Sequence, residues 1–403
     1  MFRLAFRSIF RHKVRTGLTL SAIIFGVAGL ILSGGFVEDI FIQLRETTIH
    51  SQLGHIQLYR AGYTEEGRRD PYRYLIDRPG EIAGSLADIT QVADILQRVK
   101  FSGLANNGRA DLPIIGEGVQ PAKEMRLGTS FSIISGRQIT EEDAYGILLG
   151  AGVSRALQLN PGDYVTLLVT TADGALNSLE FEVIGVFRTF SRDYDNRAVR
   201  IPLEVAQDLV GTVGAHALVL SLNRTEDTDR VAGMLRGKLP LQELEIKTWY
   251  ELADFYTKTV ALYKTQFGVL QLIILLMVLL SVANSVNMAV SERAGEFGTL
   301  MALGDTRLDI FLQVIKENFL LGVLGAGLGI GLAAAIAWAV SGVGIAMPPP
   351  PNSDVGYTAH IRLVPEVIAT AYAVGAMATV IASLLPAWRV SGLPVAEALR
   401  QNI

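Results

Sequence analysis

The chain alternates between long stretches with no charge and stretches of ordinary polarity. Uncharged runs cover Thr16–Val37, Thr265–Ser291, the residues from Asn318 onward, and Val367–Trp388. Each holds about 20 or more residues, which at a rise of about 1.5 Å per residue crosses a hydrocarbon layer about 30 Å thick. The pattern predicts four transmembrane helices, at 16–37, 265–291, 318–343 and 367–388. The segment 38–264 between the first two has the polarity of a soluble domain. The expected fold class is therefore a polytopic α-helical membrane protein with four transmembrane helices and a large α+β extracytoplasmic domain between helices 1 and 2. The remaining pieces are a basic tail (1–15), a loop (292–317), an external loop (344–366) and a second tail (389–403).

Inside 38–264 the periodicity changes. Val37, Ile40, Phe41, Leu44 and Thr48 recur at helical spacing, as do Leu252, Phe255, Tyr256, Thr259 and Tyr263. Both ends of the domain thus read as helical stalks that extend the flanking spans. Short β-rich stretches at Gly54–Tyr59, Tyr164–Val169, Phe181–Phe187 and Ala217–Leu222 predict strands. Asn160-Pro161-Gly162-Asp163 and Ala172-Asp173-Gly174 predict turns. Helices are expected at Ile89–Val99, Thr140–Leu157, Leu203–Val210 and Asp227–Lys238. The acidic residues Glu141, Glu142 and Asp143 suit the N-terminus of the second of these. Pro71–Pro79 is expected to be an exposed loop.

Charge orients the chain. Arg3, Arg7, Arg11, Lys13 and Arg15 precede the first span, and Arg293, Arg307 and Lys316 lie between the second and third. Arg389 and Arg400 follow the fourth span, whereas the loop between the third and fourth has only Arg362. The excess of Lys and Arg on one side places both termini in the cytoplasm and 38–264 outside. The first run also has the basic start of a signal peptide, but it is long for one and no A-x-A cleavage site follows. The net charge of −4 excludes a basic nucleic-acid binder. With no cysteine, disulfide, thiolate-zinc, iron–sulfur and acyl-anchored forms are excluded as well.

Catalytic chemistry is hard to find. His50 and His55 have no further ligand at zinc spacing, so no metal site is expected and both histidines read as structural. No G-x-S-x-G elbow occurs, and no catalytic residues are assigned. The spans themselves hold no charge, which argues against an ion-coupled pathway. Their most polar cluster is Asn284, Ser285 and Asn287. The third span contains Gly322, Gly325, Gly327, Gly329 and Gly331, whose G-x-x-x-G spacing suits close helix packing. Pro348–Pro351 should end that helix in a polyproline segment.

The loop after the second span carries the sharpest signal. In Glu292–Gly304, Phe297, Leu300 and Met301 fall on one apolar face of a short helix, rimmed by Glu292, Arg293 and Glu296 and ended by Gly304. Thr306 and Asp309 then fit a capping box for the next helix. An apolar face on a short cytoplasmic helix suits docking into a partner's groove.

These residues resemble a known module. ERAGEFGTLMALG (292–304), Glu317 on the following helix and the glycine-rich third span are similar to the FtsX-type permease. So is the ending PAWRVSGLPVAEALR, through Pro386, Ala387, Arg389, Ser391, Pro394, Ala398, Leu399 and Arg400. The stretch from Ser135 to Val165 resembles the external domain of MacB-type permeases. GFVEDIFIQLRE with GHIQLYRAGY is similar to the lipoprotein-releasing LolC/LolE branch. The resemblance implies a permease subunit of an ABC transporter in the bacterial cytoplasmic (inner) membrane. Glu292, Arg293, Glu296, Phe297, Leu300, Met301 and Gly304 would couple it to an ATPase. No G-x-x-x-x-G-K-[ST] motif occurs, so the expected cofactors, ATP and Mg, belong to a partner ATPase subunit, present in two copies. The other implied partners are a second permease, identical or paralogous, membrane lipid, and a lipoprotein or periplasmic adaptor. The cargo would be a lipoprotein or another hydrophobic substrate. The alternative is an FtsX-like mechanotransmission module that regulates an extracytoplasmic partner or enzyme.

Overall fold

The computed structural model describes residues 13–67, 69–127, 132–189, 191–240, 242–348 and 356–394. The basic residues Arg3, Arg7 and Arg11, most of the Pro348–Pro351 segment, and Ala398, Leu399 and Arg400 lie outside them. The chain divides into two compact units. One comprises 1–42, 260–347 and 358–403; the other comprises 43–259 with 348–357.

The first unit is helical. Four of its helices are long and apolar enough to cross a membrane: α1 (Lys13–Thr48), α7 (Asp254–Glu292), α9 (Arg307–Val343) and α10 (Pro365–Ser391). A short helix, α8 (Ala294–Ala302), separates α7 from α9. The expected capping box is present: the Thr306 side chain accepts from the Asp309 N–H, and the Asp309 carboxylate accepts from the Thr306 N–H at 3.0 Å. Two of a helix's unpaired N–H groups are satisfied this way, which fixes where α9 starts. Small residues let α1 lie against the other three spanning helices. A β-carbon on Gly26 would strike Val278 of α7, and one on Gly375 of α10 would strike Val27. Gly325 and Gly329 of α9 approach less tightly, their β-carbon positions lying 2.9 Å from Ile23 and 3.0 Å from Val27. Lipid gives helices no hydrophobic reason to associate, so such backbone-close contacts are where van der Waals attraction accumulates. The loop before α10 is tied to α1 as well. Asp39, fully buried, accepts from the His360 N–H at 2.8 Å and from Arg362 Nε at 2.6 Å.

The second unit is α+β. Its strands are β1 (Ile56–Arg60), β2 (Val92–Asn106), β3 (Asp111–Val119), β4 (Ser132–Gly136), β5 (Gly146–Gly150), β6 (Tyr164–Thr170), β7 (Leu176–Arg188), β8 (Ala198–Pro202), β9 (Ala217–Leu222) and β10 (Leu244–Thr248). They run in the order β10-β1-β9-β2-β3-β8-β5-β7-β4, with β6 bridging β2 and β7. Pairing is antiparallel except for β3 with β8 and β5 with β7. Long β2 belongs to two hydrophobic layers. Val92–Arg98 pairs with β9, and Val99–Asn106 pairs with β3. One core forms around Leu58, Ile95, Leu220 and Leu235, the other around Phe101, Val153, Val165 and Phe181. Helices α2 (Pro79–Leu86), α3 (Pro121–Leu127), α4 (Ala151–Leu157), α5 (Leu203–Val210) and α6 (Thr228–Lys238) cover the sheet.

Two expected helices are strand over part of their length. Ile89–Val99 shows apolar residues at helical spacing, yet Val92 onward is β2. Ile95 and Leu96 are both buried, on opposite faces of a strand covered on both sides, so a two-sided core imitates helical periodicity. In Thr140–Leu157 only Ala151–Leu157 is helical. Gly146–Gly150 is the fully buried strand β5, paired with β7 and β8. The acidic residues before it do not start a helix. Asp143 instead folds a turn by accepting from the Thr140 N–H at 2.9 Å and from Arg137 at 2.6 Å. Pro71–Pro79 is not wholly exposed either, because Leu75 and Ile76 are buried and Ile76 bridges to Ala215. The helical stretch from 252 to 263 is broken at Ala253.

Candidate functional site

The residues from Glu292 to Gly304 form one structure, held to the helical unit by both charge and packing. Arg293 stands where α7 gives way to α8. Its Nη1 donates to Glu317 Oε2 at 2.6 Å and its Nη2 to Glu317 Oε1 at 3.3 Å, a forked pair reaching across to α9. Nε of the same guanidinium donates to Glu296 at 3.2 Å, and its plane lies 5.0 Å from the centre of the Phe297 ring. Two parallel N–H···O bonds fix direction as well as charge, which a lysine would not do.

Phe297 corrects an expectation. Its side chain is 1% exposed, packed among the helices with Val290, Ala294, Val314 and Ala387. It anchors α8 and does not present an outer apolar surface. Leu300 and Met301 are half-buried against the same cluster. A helix of nine residues cannot hold a stable shape alone, so its apolar face is consumed by the bundle that supports it. What remains outside is Glu292, Thr299, Ala302, Leu303, Gly304 and Leu308, of which Leu303 is 80% exposed. Gly304 has a φ of +113° and supplies the turn out of α8.

The glycines of α9 divide by face. Gly322, Gly325 and Gly329 are buried, against Thr379, Ile23 and Val27 respectively. Gly327 and Gly331 have open space at the β-carbon position, so of the two overlapping G-x-x-x-G pairs only Gly325/Gly329 is a contact within this chain. In the polar cluster of α7, Ser285 hydrogen-bonds Thr19 of α1, whereas Asn284 and Asn287 are exposed.

His50 and His55 of the α+β unit are both engaged in internal hydrogen bonds. His55 is buried; its Nδ1 accepts from the Leu222 N–H at 3.1 Å, and its Nε2 lies 3.2 Å from the Thr225 hydroxyl, which leads on to Glu46. An acceptor at Nδ1 requires the neutral ring. Burial, helped by nearby His50, lowers its pKa to about 4. His50 lies 3.4 Å from Glu46 and 3.2 Å from the Leu127 carbonyl. Among the described residues no cluster suits a metal ion.

A buried charge network was not anticipated. Arg98 pairs with Glu124 at 2.6 Å, Arg200 lies 3.3 Å from Glu117 and 3.7 Å from Glu124, and the Tyr194 hydroxyl donates to Glu117 at 2.9 Å. Burial alone would raise the Glu117 carboxyl, but Arg200 and Arg98 outweigh it and hold the pKa at about 2. Arg200 also reaches the Ser51 carbonyl, just beyond α1. The available signal was a lone charge inside an apolar strand, as in Ile-Ile-Gly-Glu-Gly-Val and Ala-Val-Arg-Ile-Pro.

Four apolar spans, a short helix keyed between two of them and an α+β unit inserted between the first and second define a multi-pass membrane permease. Profile comparison agrees. The MacB-like periplasmic core domain matches residues 16–238, and the FtsX-like permease C-terminal domain matches 268–395. The chain belongs to this MacB-like, FtsX-like family of ABC transporter permeases. It is 24% identical to the macrolide export ATP-binding/permease protein MacB of Bdellovibrio bacteriovorus, over 79% of this chain and 51% of that one. It is 22% identical to the lipoprotein-releasing system transmembrane protein LolC of Neisseria meningitidis, over 72% and 69%. Among solved structures, the periplasmic region of MacB from Actinobacillus actinomycetemcomitans aligns at a TM-score of 0.38 and 15% identity, covering 52% of this chain and 94% of that one. The chain spans about half the length of the first curated relatives it matches.

Proposed function

We propose that this chain is the permease subunit of an ATP-driven transporter of the bacterial cytoplasmic membrane, with both termini in the cytoplasm. A separate ATPase subunit, in two copies and carrying ATP and Mg, hydrolyses the nucleotide. Helix α8 receives its movement, and the soluble unit, outside the membrane, handles a hydrophobic or lipid-anchored cargo. The observation that carries the reading is the forked Arg293–Glu317 pair, reinforced by buried Phe297. A push on α8 cannot be absorbed locally when the helix is locked to α9 by charge and to the bundle by packing. Further support comes from the soluble unit, where the residue after α1, Ile49, packs against Trp249 and Ala253 at the approach to α7. Spans without internal charge suit mechanical transmission or lateral entry of a greasy cargo better than an aqueous pore. The exposed Asn284 and Asn287, set among exposed Met277, Leu280 and Met288, favour a second permease against α7, since amides facing lipid lack partners.

The test is Leu303→Asp. Leu303 leaves the core untouched, so the variant should insert normally but lose the ATPase subunit on co-purification. Full retention of that subunit would remove α8 as the contact.

A further inference from the structure

Beyond the ATPase contact, a second feature lies where α9 begins and α10 ends. Arg307, Leu308 and Phe311 of α9 face Trp388, Arg389 and Leu393 across a groove of about 610 Å³. Its chemistry is divided. Trp388 is 71% exposed and Leu308 64%. Arg307 and Arg389 are exposed, and neither has a carboxylate partner among the described residues. The groove does not end at its rim. Ile381, Leu384, Leu385 and Trp388 are exposed at i, i+3, i+4 and i+7 of α10, one continuous apolar stripe running from the membrane span into the groove.

We propose that this groove binds one acidic phospholipid of the adjoining leaflet. The headgroup phosphate sits between Arg307 and Arg389, the Trp388 ring lies at the interface, and an acyl chain follows the α10 stripe. Two guanidiniums with no carboxylate partner among the described residues offer forked donors that match phosphate oxygens. A tryptophan at the end of an apolar span occupies the level of the headgroups. A soluble protein partner would use the two arginines but would leave the stripe beyond Trp388 uncovered. The lipid covers both, and this holds whichever side of the membrane the groove faces.

The experiment uses the full chain in nanodiscs of phosphatidylcholine. Trp338→Phe removes the other exposed indole; Trp249 is only 7% exposed. Dibrominated phosphatidylglycerol and dibrominated phosphatidylcholine, at equal low mole fraction, are compared as quenchers of Trp388. One basic side chain at an anionic surface gives about a fivefold preference, so phosphatidylglycerol should be preferred by at least about fivefold. Arg307→Gln with Arg389→Gln should abolish the preference yet leave quenching by phosphatidylcholine unchanged, which shows the helices still in place. The double lysine variant should keep part of it. Equal quenching by the two lipids in the parent chain would overturn the proposal. So would an unaltered preference in the double glutamine variant; if that variant also failed to co-purify with the ATPase subunit, the groove would be a protein contact.

Discussion

Removing the Glu317 carboxylate isolates what holds α8 in place. In Glu317→Ala, Arg293 loses both bonds of its fork, at 2.6 and 3.3 Å, and keeps only Glu296 and the face of Phe297. Deleting one partner of a fully buried pair costs about 3–5 kcal/mol, because the other charge is stranded. Here the Arg293 side chain retains 17% exposure and one carboxylate. Water and Glu296 therefore recover part of the loss, leaving about 2 kcal/mol, or about a thirtyfold shift toward undocked α8. Hydrogen exchange of the amides of 294–302, in the full chain in nanodiscs, reads that shift directly. Protection should fall by about that factor in Glu317→Ala while the amides of α10 stay protected. Glu317→Gln, which keeps one acceptor, should lie between. Exchanging the two residues, Arg293→Glu with Glu317→Arg, should restore much of the protection. If Glu317→Ala exchanges like the parent, the pair does not hold α8 and cannot carry its movement to α9.

Gly329→Leu should lower the melting temperature of the purified chain, since the added side chain meets Val27 and the Ile24 carbonyl at about 3.0 Å and overpacking costs about 1–3 kcal/mol; Gly331→Leu, on the open face, should leave the melt unchanged. Acid should weaken the soluble unit through His55 and His216, both held down to about 4 by burial. Unfolded histidine titrates near 6.5, so the unfolded chain binds more protons below that pH. The stabilisation is complete above about pH 6.5 and is lost progressively down to about pH 4, amounting to about 2 kcal/mol per histidine by pH 5. Denaturation followed by Trp249 fluorescence should show this slope, and an unchanged midpoint between pH 7 and 5 would contradict it. With no native cysteine, single cysteines report topology cleanly. Ser178→Cys should react with an impermeant reagent in intact cells and Thr299→Cys only after permeabilisation; the reverse would invert the proposed orientation.

Sequence reading succeeded where one physical constraint dominates. Charge-free runs long enough to cross lipid are rare in helices that face water, so the four spanning helices were legible. The capping box of α9 was legible because its bonds join residues three apart. Reading failed where an element's partners come from distant parts of the chain. Residues 92–99 looked helical because β2 is covered on both faces. Phe297 looked like a docking residue because an apolar face on a short helix says nothing about which neighbour covers it.

Residue order therefore determined which segments form helices long and apolar enough to cross a membrane and where the capping box starts α9, because these depend on composition and local spacing. Only the tertiary structure decided that Phe297 turns inward, that Gly329 packs while Gly331 does not, that Arg293 reaches Glu317, and that Arg98, Glu117, Glu124 and Arg200 share one buried network. Each of those facts depends on which distant surface arrives opposite a side chain, and local periodicity does not encode that.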